Sequence, residues 1–337
     1  MIVDQFNRPM RDLRISVIDA CNYRCTYCMP LKEFSDSYSF SGQKDRLNFD
    51  EITKLVRIFV GLGITKVRIT GGEPLLRKDL PQLIAMIKAQ GGIDDLAMTT
   101  NGHWLEKFAE SLKSAGLMRV SVSLDSLNDG VFGAMNGRGF TPTRALTGIR
   151  KAKEVGFDPI KINVLVQKGV NDHGLIEIAK YFKGSGIIVR FIEYMDVGNR
   201  NGWKFKQVVP AAEIFRNINN VFPIIPKAKA YPGEVVNRYE YVDGSGEIGF
   251  IASVTRPFCQ SCNRIRLSSD GVLYTCLFAN DGTDLRTPMR NGATDPELED
   301  IITNTWKERT DRYSELRAAQ TSTKTSRQKI EMYQIGG

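Results

Sequence analysis

Short runs dense in β-branched and apolar residues recur along the first two thirds of the chain, with helically spaced apolar residues between them. The pattern predicts strands near Leu13–Ile18, Lys66–Thr70, Leu96–Thr99, Arg119–Leu124, Lys161–Val166 and Ile187–Ile192. Helices are expected at Asp50–Val60, Asp79–Gln90, Trp104–Ala115, Thr143–Val155 and Gly174–Lys183. The first of these runs out at Gly61 and Gly63, as helix C-termini often do. Strands alternating with helices predict βα units on a parallel sheet. Six such units fall short of the eight of a closed barrel. The expected fold class is therefore α/β, an incomplete (βα)6 barrel whose open side something else must close.

Buried parallel strands usually read as continuous apolar runs. Here they alternate. Arg14 and Ser16 share one face of the first strand, Arg68 and Thr70 one face of the second. Ala97 with Thr99, Ser121 with Ser123, and Lys161 with Asn163 keep the same period of two. If the sheet curls, these polar sets point inward together, and an empty lumen holding Arg14, Arg68 and Lys161 would be costly to bury. An anion inside it removes that cost. The competing reading places these polar residues at exposed strand ends.

Past about Trp203 the βα rhythm breaks, with prolines at 210, 223, 226 and 232. Asn237–Ile251 reads as a strand pair around Asp243-Gly-Ser-Gly246. The organisation expected is a core over residues 1–220 and a smaller C-terminal domain over 221–337 that closes the open side.

Bulk composition narrows this only a little. With 25% charged and 42% hydrophobic residues, the chain is ordinary for a globular protein. No apolar run approaches a membrane span, and the N-terminus lacks the features of a signal peptide. A cytoplasmic protein is the default expectation, and in a reducing compartment clustered cysteines bind metal or do chemistry more often than they pair. A net charge of +8 and a pI near 9.1 suit an anionic partner but do not choose among nucleic acid, membrane surface and polyphosphate.

The cysteines choose. All six fall into two trios, Cys21/Cys25/Cys28 and Cys259/Cys262/Cys276. The familiar iron–sulfur clusters take four cysteine ligands, so a local trio leaves one metal position open. On a catalytic metal that position is where substrate or cofactor sits. The first trio follows the first strand, at the end where barrel chemistry collects. Zinc knuckles or unrelated buried thiols are the alternatives. Beside the second trio, Arg264 and Arg266 would share one strand face, where planar guanidinium forks match phosphate oxygens; a solvated strand face with ion pairs is the duller reading.

The first trio, with Tyr27 just before its last cysteine, resembles the cluster signature of radical S-adenosylmethionine (SAM) enzymes. Gly71-Gly-Glu-Pro74, the second trio, Arg264-Ile-Arg266 and the terminal Gly336-Gly337 extend that likeness to the GTP 3′,8-cyclase family. Arg11-Asp-Leu-Arg14, Thr99-Thr-Asn-Gly102 and Arg190–Gly198 extend it over nearly the whole chain. The resemblance implies a lyase that cyclises GTP by way of a 5′-deoxyadenosyl radical, at the start of molybdenum cofactor biosynthesis. It implies SAM and two [4Fe–4S] clusters on the two trios. It places Tyr27, Gly72, Ser123 and Met195 against SAM, and Arg14, Arg68, Thr99, Lys161, Arg264, Ile265 and Arg266 against GTP. No side chain is expected as a general base, because cluster and SAM carry the chemistry. The open iron of the second cluster would take the guanine, and the diglycine would reach into the pocket. A low-potential electron donor, cyclic pyranopterin monophosphate synthase downstream and a homodimer are the partners it implies, with neither membrane nor nucleic acid.

Overall fold

A computed structural model describes residues 2–322 and 329–336. The repeating part runs β1 (Asp12–Ser16), α1 (Phe49–Gly61), β2 (Lys66–Thr70), α2 (Leu80–Ala89), β3 (Asp95–Thr100), α3 (Leu105–Ser114) and β4 (Arg119–Ser123). It continues with α4 (Asp129–Asn136), α5 (Thr143–Glu154), β5 (Lys161–Val166), α6 (Leu175–Phe182), β6 (Ile188–Glu193) and α7 (Ala211–Val221). Each predicted strand and helix is present within a residue or two. The helices α4 and α7 are additions; α4 is short, whereas α7 carries a plain apolar stripe of Ala211, Ile214 and Ile218 in a stretch punctuated by prolines.

A cap explains where α1 starts. Asn48 accepts from the Glu51 main chain at 2.8 Å while Glu51 accepts from that of Asn48 at 2.7 Å. This reciprocal box fixes the first turn of α1, and Ile52, Leu55, Val56 and Phe59 then fall on one buried face. That face meets the outer residues of the sheet: Leu13 and Ile15, Val67 and Ile69, Met98, Val122, Ile162 and Val164 form one buried layer.

The C-terminal part comprises β7 (Ile224–Lys227), β8 (Asn237–Tyr241), β9 (Glu247–Ile251), β10 (Arg264–Leu267), β11 (Val272–Tyr274) and β12 (Thr283–Asp284). Helices α8 (Arg286–Arg290), α9 (Asp295–Lys307), α10 (Tyr313–Ser322) and α11 (Met332–Ile335) follow. The segment expected to close the open side extends the barrel sheet at both ends. The strand order is β12-β11-β10-β1-β2-β3-β4-β5-β6-β9-β8-β7. On one side β10 pairs parallel with β1, and on the other β9 pairs parallel with β6. The hairpin β8–β9 is antiparallel, as its turn residues predict.

The parallel strands therefore end at β10 and at β9, each extended by an antiparallel neighbour, and no ladder joins β10 to β9. One carboxylate ties the β6–β9 side together: Glu193, fully buried at the end of β6, accepts from the main chains of Ala211, Val254 and Thr255 at 2.7, 2.7 and 2.8 Å. A buried carboxylate is tolerable when its oxygens are bonded in this way. Among the described residues no helix is long and apolar enough to cross a membrane.

Candidate functional site

The alternation of the strands becomes a polar lumen. Arg68 donates to Thr99 Oγ1 at 3.2 Å and to Ser121 Oγ at 3.4 Å. Arg190 donates to Ser121 Oγ at 3.1 Å and to Asn163 Oδ1 at 2.6 Å. Polar positions on β2 through β6 thus meet inside the curl. The register carries the charge across the sheet, because Arg266, Arg14 and Arg68 are direct neighbours on β10, β1 and β2.

A cavity opens on this face. Arg14, Arg68, Arg264 and Arg266 line it together with Cys259, Cys262 and Cys276. The second trio and the double arginine, far from β1 and β2 in sequence, are thus brought to one place. Thr99 and Met195 line it as well. Lys161, at the start of β5, stands close by, its ammonium pushed down to about 7 by burial and then by Arg190, Arg119 and Arg68. Burial lowers Arg14 and Arg266 too, helped by Arg266 and Arg264 in the first case and by Arg264 in the second. This cavity is short of negative charge. Ile265 differs from its neighbours: its side chain is buried in the outer layer, so β10 offers only main chain there.

Arg190 is a cavity residue that sequence reasoning passed over. It is held down to about 9, chiefly by burial and then by Arg68 and Arg119, and its Nε has no partner. The period-two signal was present, since Arg190 lies opposite Asn163 in the β5–β6 ladder. Arg309 also lines the cavity and donates to the Cys262 carbonyl at 2.8 Å. It follows α9, and nothing local in the sequence announces it.

The first trio lies in the loop after β1. Arg24 shapes that loop, donating to the carbonyls of Phe34, Cys21 and Tyr23 at 2.7, 2.7 and 2.9 Å. Loop and glycine turn pack backbone to backbone: a Cβ on Gly72 would lie 2.2 Å from the Ala20 carbonyl oxygen. The close approach these glycines permit is therefore first to the cysteine loop itself. Glu73 then accepts from Thr100 Oγ1 and the Asn101 main chain, both at 2.7 Å, and burial pushes it up to about 7. Tyr27 donates to Asp125 at 2.7 Å; burial raises that carboxyl to about 6. Tyr27, Gly72 and Ser123 thus stand in the cysteine loop, in the turn after β2 and at the end of β4.

The thiols fit iron–sulfur ligation. Burial raises Cys21 to about 12 and pushes Cys25 and Cys28 up, with Cys21 and Cys28 further opposing ionisation of Cys25, and Cys21 and Glu331 that of Cys28. Main-chain N–H groups of Tyr23 and Phe278 already point at the Cys21 and Cys276 sulfurs, at 3.4 and 3.5 Å. In the second trio burial would raise Cys262, but Arg264 and Arg309 outweigh it and hold the thiol at about 6. Among the described residues, no three Cys, His, Asp or Glu side chains are drawn tightly enough for a single ion. A [4Fe–4S] cube takes each thiolate on a separate iron and spreads its ligands more widely.

The C-terminal segment reaches this end of the barrel. Tyr333 and Tyr38 share a hydroxyl hydrogen bond of 3.0 Å. Gly336, at φ +67°, lies where any Cβ would fall 2.1 Å from the Thr70 side chain. Gly337 lies outside the described residues.

Comparison with known proteins agrees with this geometry. Residues 15–182 match the model of the Radical SAM superfamily, and residues 187–315 match that of Molybdenum Cofactor Synthesis C. The chain is 47% identical over 358 residues to a GTP 3′,8-cyclase of Acidothermus cellulolyticus, covering 100% of this chain and 99% of that protein. It is 48% identical over 334 residues to a GTP 3′,8-cyclase of Xanthomonas axonopodis pv. citri, covering 99% and 98%. Among solved structures, Streptococcus suis SuiB bound to precursor peptide SuiA resembles it in fold. The TM-score is 0.60 at 16% identity, over 95% of this chain and 68% of that one.

Proposed function

The chain belongs to the GTP 3′,8-cyclase family, and we propose that the arginine-lined cavity beside Cys259, Cys262 and Cys276 is where it holds GTP. It is a radical SAM lyase that converts GTP to (8S)-3′,8-cyclo-7,8-dihydroguanosine 5′-triphosphate, the first step of molybdenum cofactor biosynthesis. When bound, the [4Fe–4S] clusters and SAM supply the electron and the 5′-deoxyadenosyl radical that takes the 3′ hydrogen.

The protein's part is position, charge and exclusion of water. Cys21, Cys25 and Cys28 would hold the cluster that meets SAM, with Tyr27, Gly72, Ser123 and Met195 as SAM contacts. Asp125 fixes the Tyr27 ring through its hydroxyl. Cys259, Cys262 and Cys276 would hold the second cluster, with guanine at its open iron. Arg14, Arg68, Arg264 and Arg266 would take the triphosphate, joined by Lys161 and Thr99, with Ile265 contributing main chain. Arg190 belongs with them, because a buried guanidinium with an unpartnered Nε is satisfied by a phosphate oxygen. A reactive carbon radical demands that the sugar be fixed before it forms. Rigid strands holding the triphosphate do that better than loops.

The observation that carries this reading is the Arg266–Arg14–Arg68 rung, which faces the same cavity as the second trio. In the same reading, residues 1–220 form the SAM core and 221–337 supply the second cluster and the tail. It also asks for a low-potential electron donor, for cyclic pyranopterin monophosphate synthase to consume the product, for a cytoplasmic setting and for pairing of two copies. Anaerobically reconstituted protein should bind GTP at micromolar concentration and, with SAM and reductant, form the cyclised nucleotide. Colourless zinc protein without GTP affinity would contradict it.

A further inference from the structure

No ladder joins β10 to β9, and one segment passes between them at the N-terminal ends of the strands. Residues 228–236, between β7 and β8, start from the β9 side, where Arg238 donates to the Ala228 carbonyl at 3.2 Å. On the opposite side Gly233 lies so close to the chain before β10 that a Cβ there would fall 2.9 Å from both the Ser261 carbonyl oxygen and Asn263 Nδ2. The segment also touches β2, where Lys66 Nζ sits 3.1 Å from the centre of the Tyr231 ring. These contacts cluster at the N-terminal ends of the strands, since Lys66 opens β2 and Arg264 opens β10.

The hydrogen bonds that shape the crossing are its own. Glu234 N donates to the Tyr231 carbonyl at 3.2 Å, and the Glu234 carboxylate accepts from Ala230 N at 2.6 Å. Its grip on the far side is a cation–π contact and van der Waals packing, not a β-ladder. Such a strap can lift as a unit and keep its turn. Val235 lines the arginine cavity, so the strap is part of the cavity wall. Glu234 is buried, and its charge favours the charged forms of Lys161 and Arg190. The strap thus brings a carboxylate to a cationic cavity and draws itself shut over it.

We infer that residues 228–236 are a gate at the N-terminal mouth of the barrel through which the nucleoside triphosphate passes, latched by Tyr231 on Lys66 and held shut over the empty cavity by Glu234. An arriving triphosphate replaces Glu234 as the counter-charge, and the strap closes again behind it on the Tyr231 latch. The inference rests on the GTP assignment of the cavity, and binding kinetics separate the two.

Full-length protein reconstituted without SAM would be mixed with a fluorescent GTP analogue in a stopped-flow instrument. Tyr231→Ala should raise association and dissociation rates together, each several-fold, leaving Kd within about twofold, because a gate changes passage and not the bound state. Tyr231→Phe keeps the ring and should match the wild type. Glu234→Gln should speed association and tighten binding, since it removes the competing anion and keeps the hydrogen bond to Ala230. Unchanged association in both Tyr231→Ala and Glu234→Gln would overturn the gate, as would a rise in dissociation alone, which marks Tyr231 as a simple ligand contact. Wild-type protein that fails to bind the analogue would instead overturn the cavity assignment beneath it.

Discussion

Arg14 lies directly opposite Arg266 across the β1–β10 ladder, and Arg68 flanks it on the other side. Buried like charges in one rung oppose folding when nothing lies between them. Arg266→Met should therefore raise the melting temperature of ligand-free protein. The same change should weaken GTP binding by about 1.5–3 kcal/mol, the range for a hydrogen bond to a charged group. Thermal unfolding and calorimetric titration check both signs. A lower melting temperature with unchanged GTP affinity would make the rung purely structural.

Lys161 gives the binding step a pH dependence. In the empty cavity burial and neighbouring arginines hold its ammonium at about 7, so above that pH it is largely neutral. A triphosphate favours the charged form and raises that value, so binding takes up a proton. GTP affinity should fall as pH rises from 7 to 9, with proton uptake read from calorimetry in buffers of different ionisation enthalpy. Lys161→Arg stays charged and should lose most of this dependence, which also corrects for titration of the phosphate itself. Equal pH profiles for the two proteins would remove Lys161 from the site.

Gly72 tests the first cysteine site without touching a ligand. A methyl group there meets the Ala20 carbonyl oxygen at 2.2 Å, so Gly72→Ala must push the cysteine loop away from β2. Overpacking of this kind costs about 1–3 kcal/mol. The variant should unfold at lower temperature and take up less iron at the first site, while the GTP affinity of the other end persists. Full iron loading would show that the loop has slack.

The two trios should be separable in function. Cys276→Ser should lose the second cluster and halve the iron content, yet still cleave SAM, with cyclised product abolished. Product formation at the wild-type rate would take the second cluster out of the reaction.

Much of this was legible because two periodicities coincide. Arg14 with Ser16 and Arg68 with Thr70 announce a polar inner face by their period of two, and the first helix announces its end through Gly61 and Gly63. Cysteine spacing is local and needs no fold to be read. The approach of β10 to β1 was not legible. It joins residues some 250 positions apart, and a short strand such as Arg264–Leu267 carries no mark of its neighbour. The same holds for Arg309, whose bond to the Cys262 carbonyl depends on how α9 packs. Arg190 was readable from the same alternation, one strand beyond Lys161 and Asn163.

The most direct test uses electron paramagnetic resonance on reduced protein carrying one cluster at a time. With Cys21, Cys25 and Cys28 replaced by alanine, GTP should alter the spectrum of the remaining cluster and SAM should not. With Cys259, Cys262 and Cys276 replaced, SAM should alter it and GTP should not. A GTP effect confined to the first cluster, or none at either, would contradict a nucleotide held between the arginine rung and the second trio.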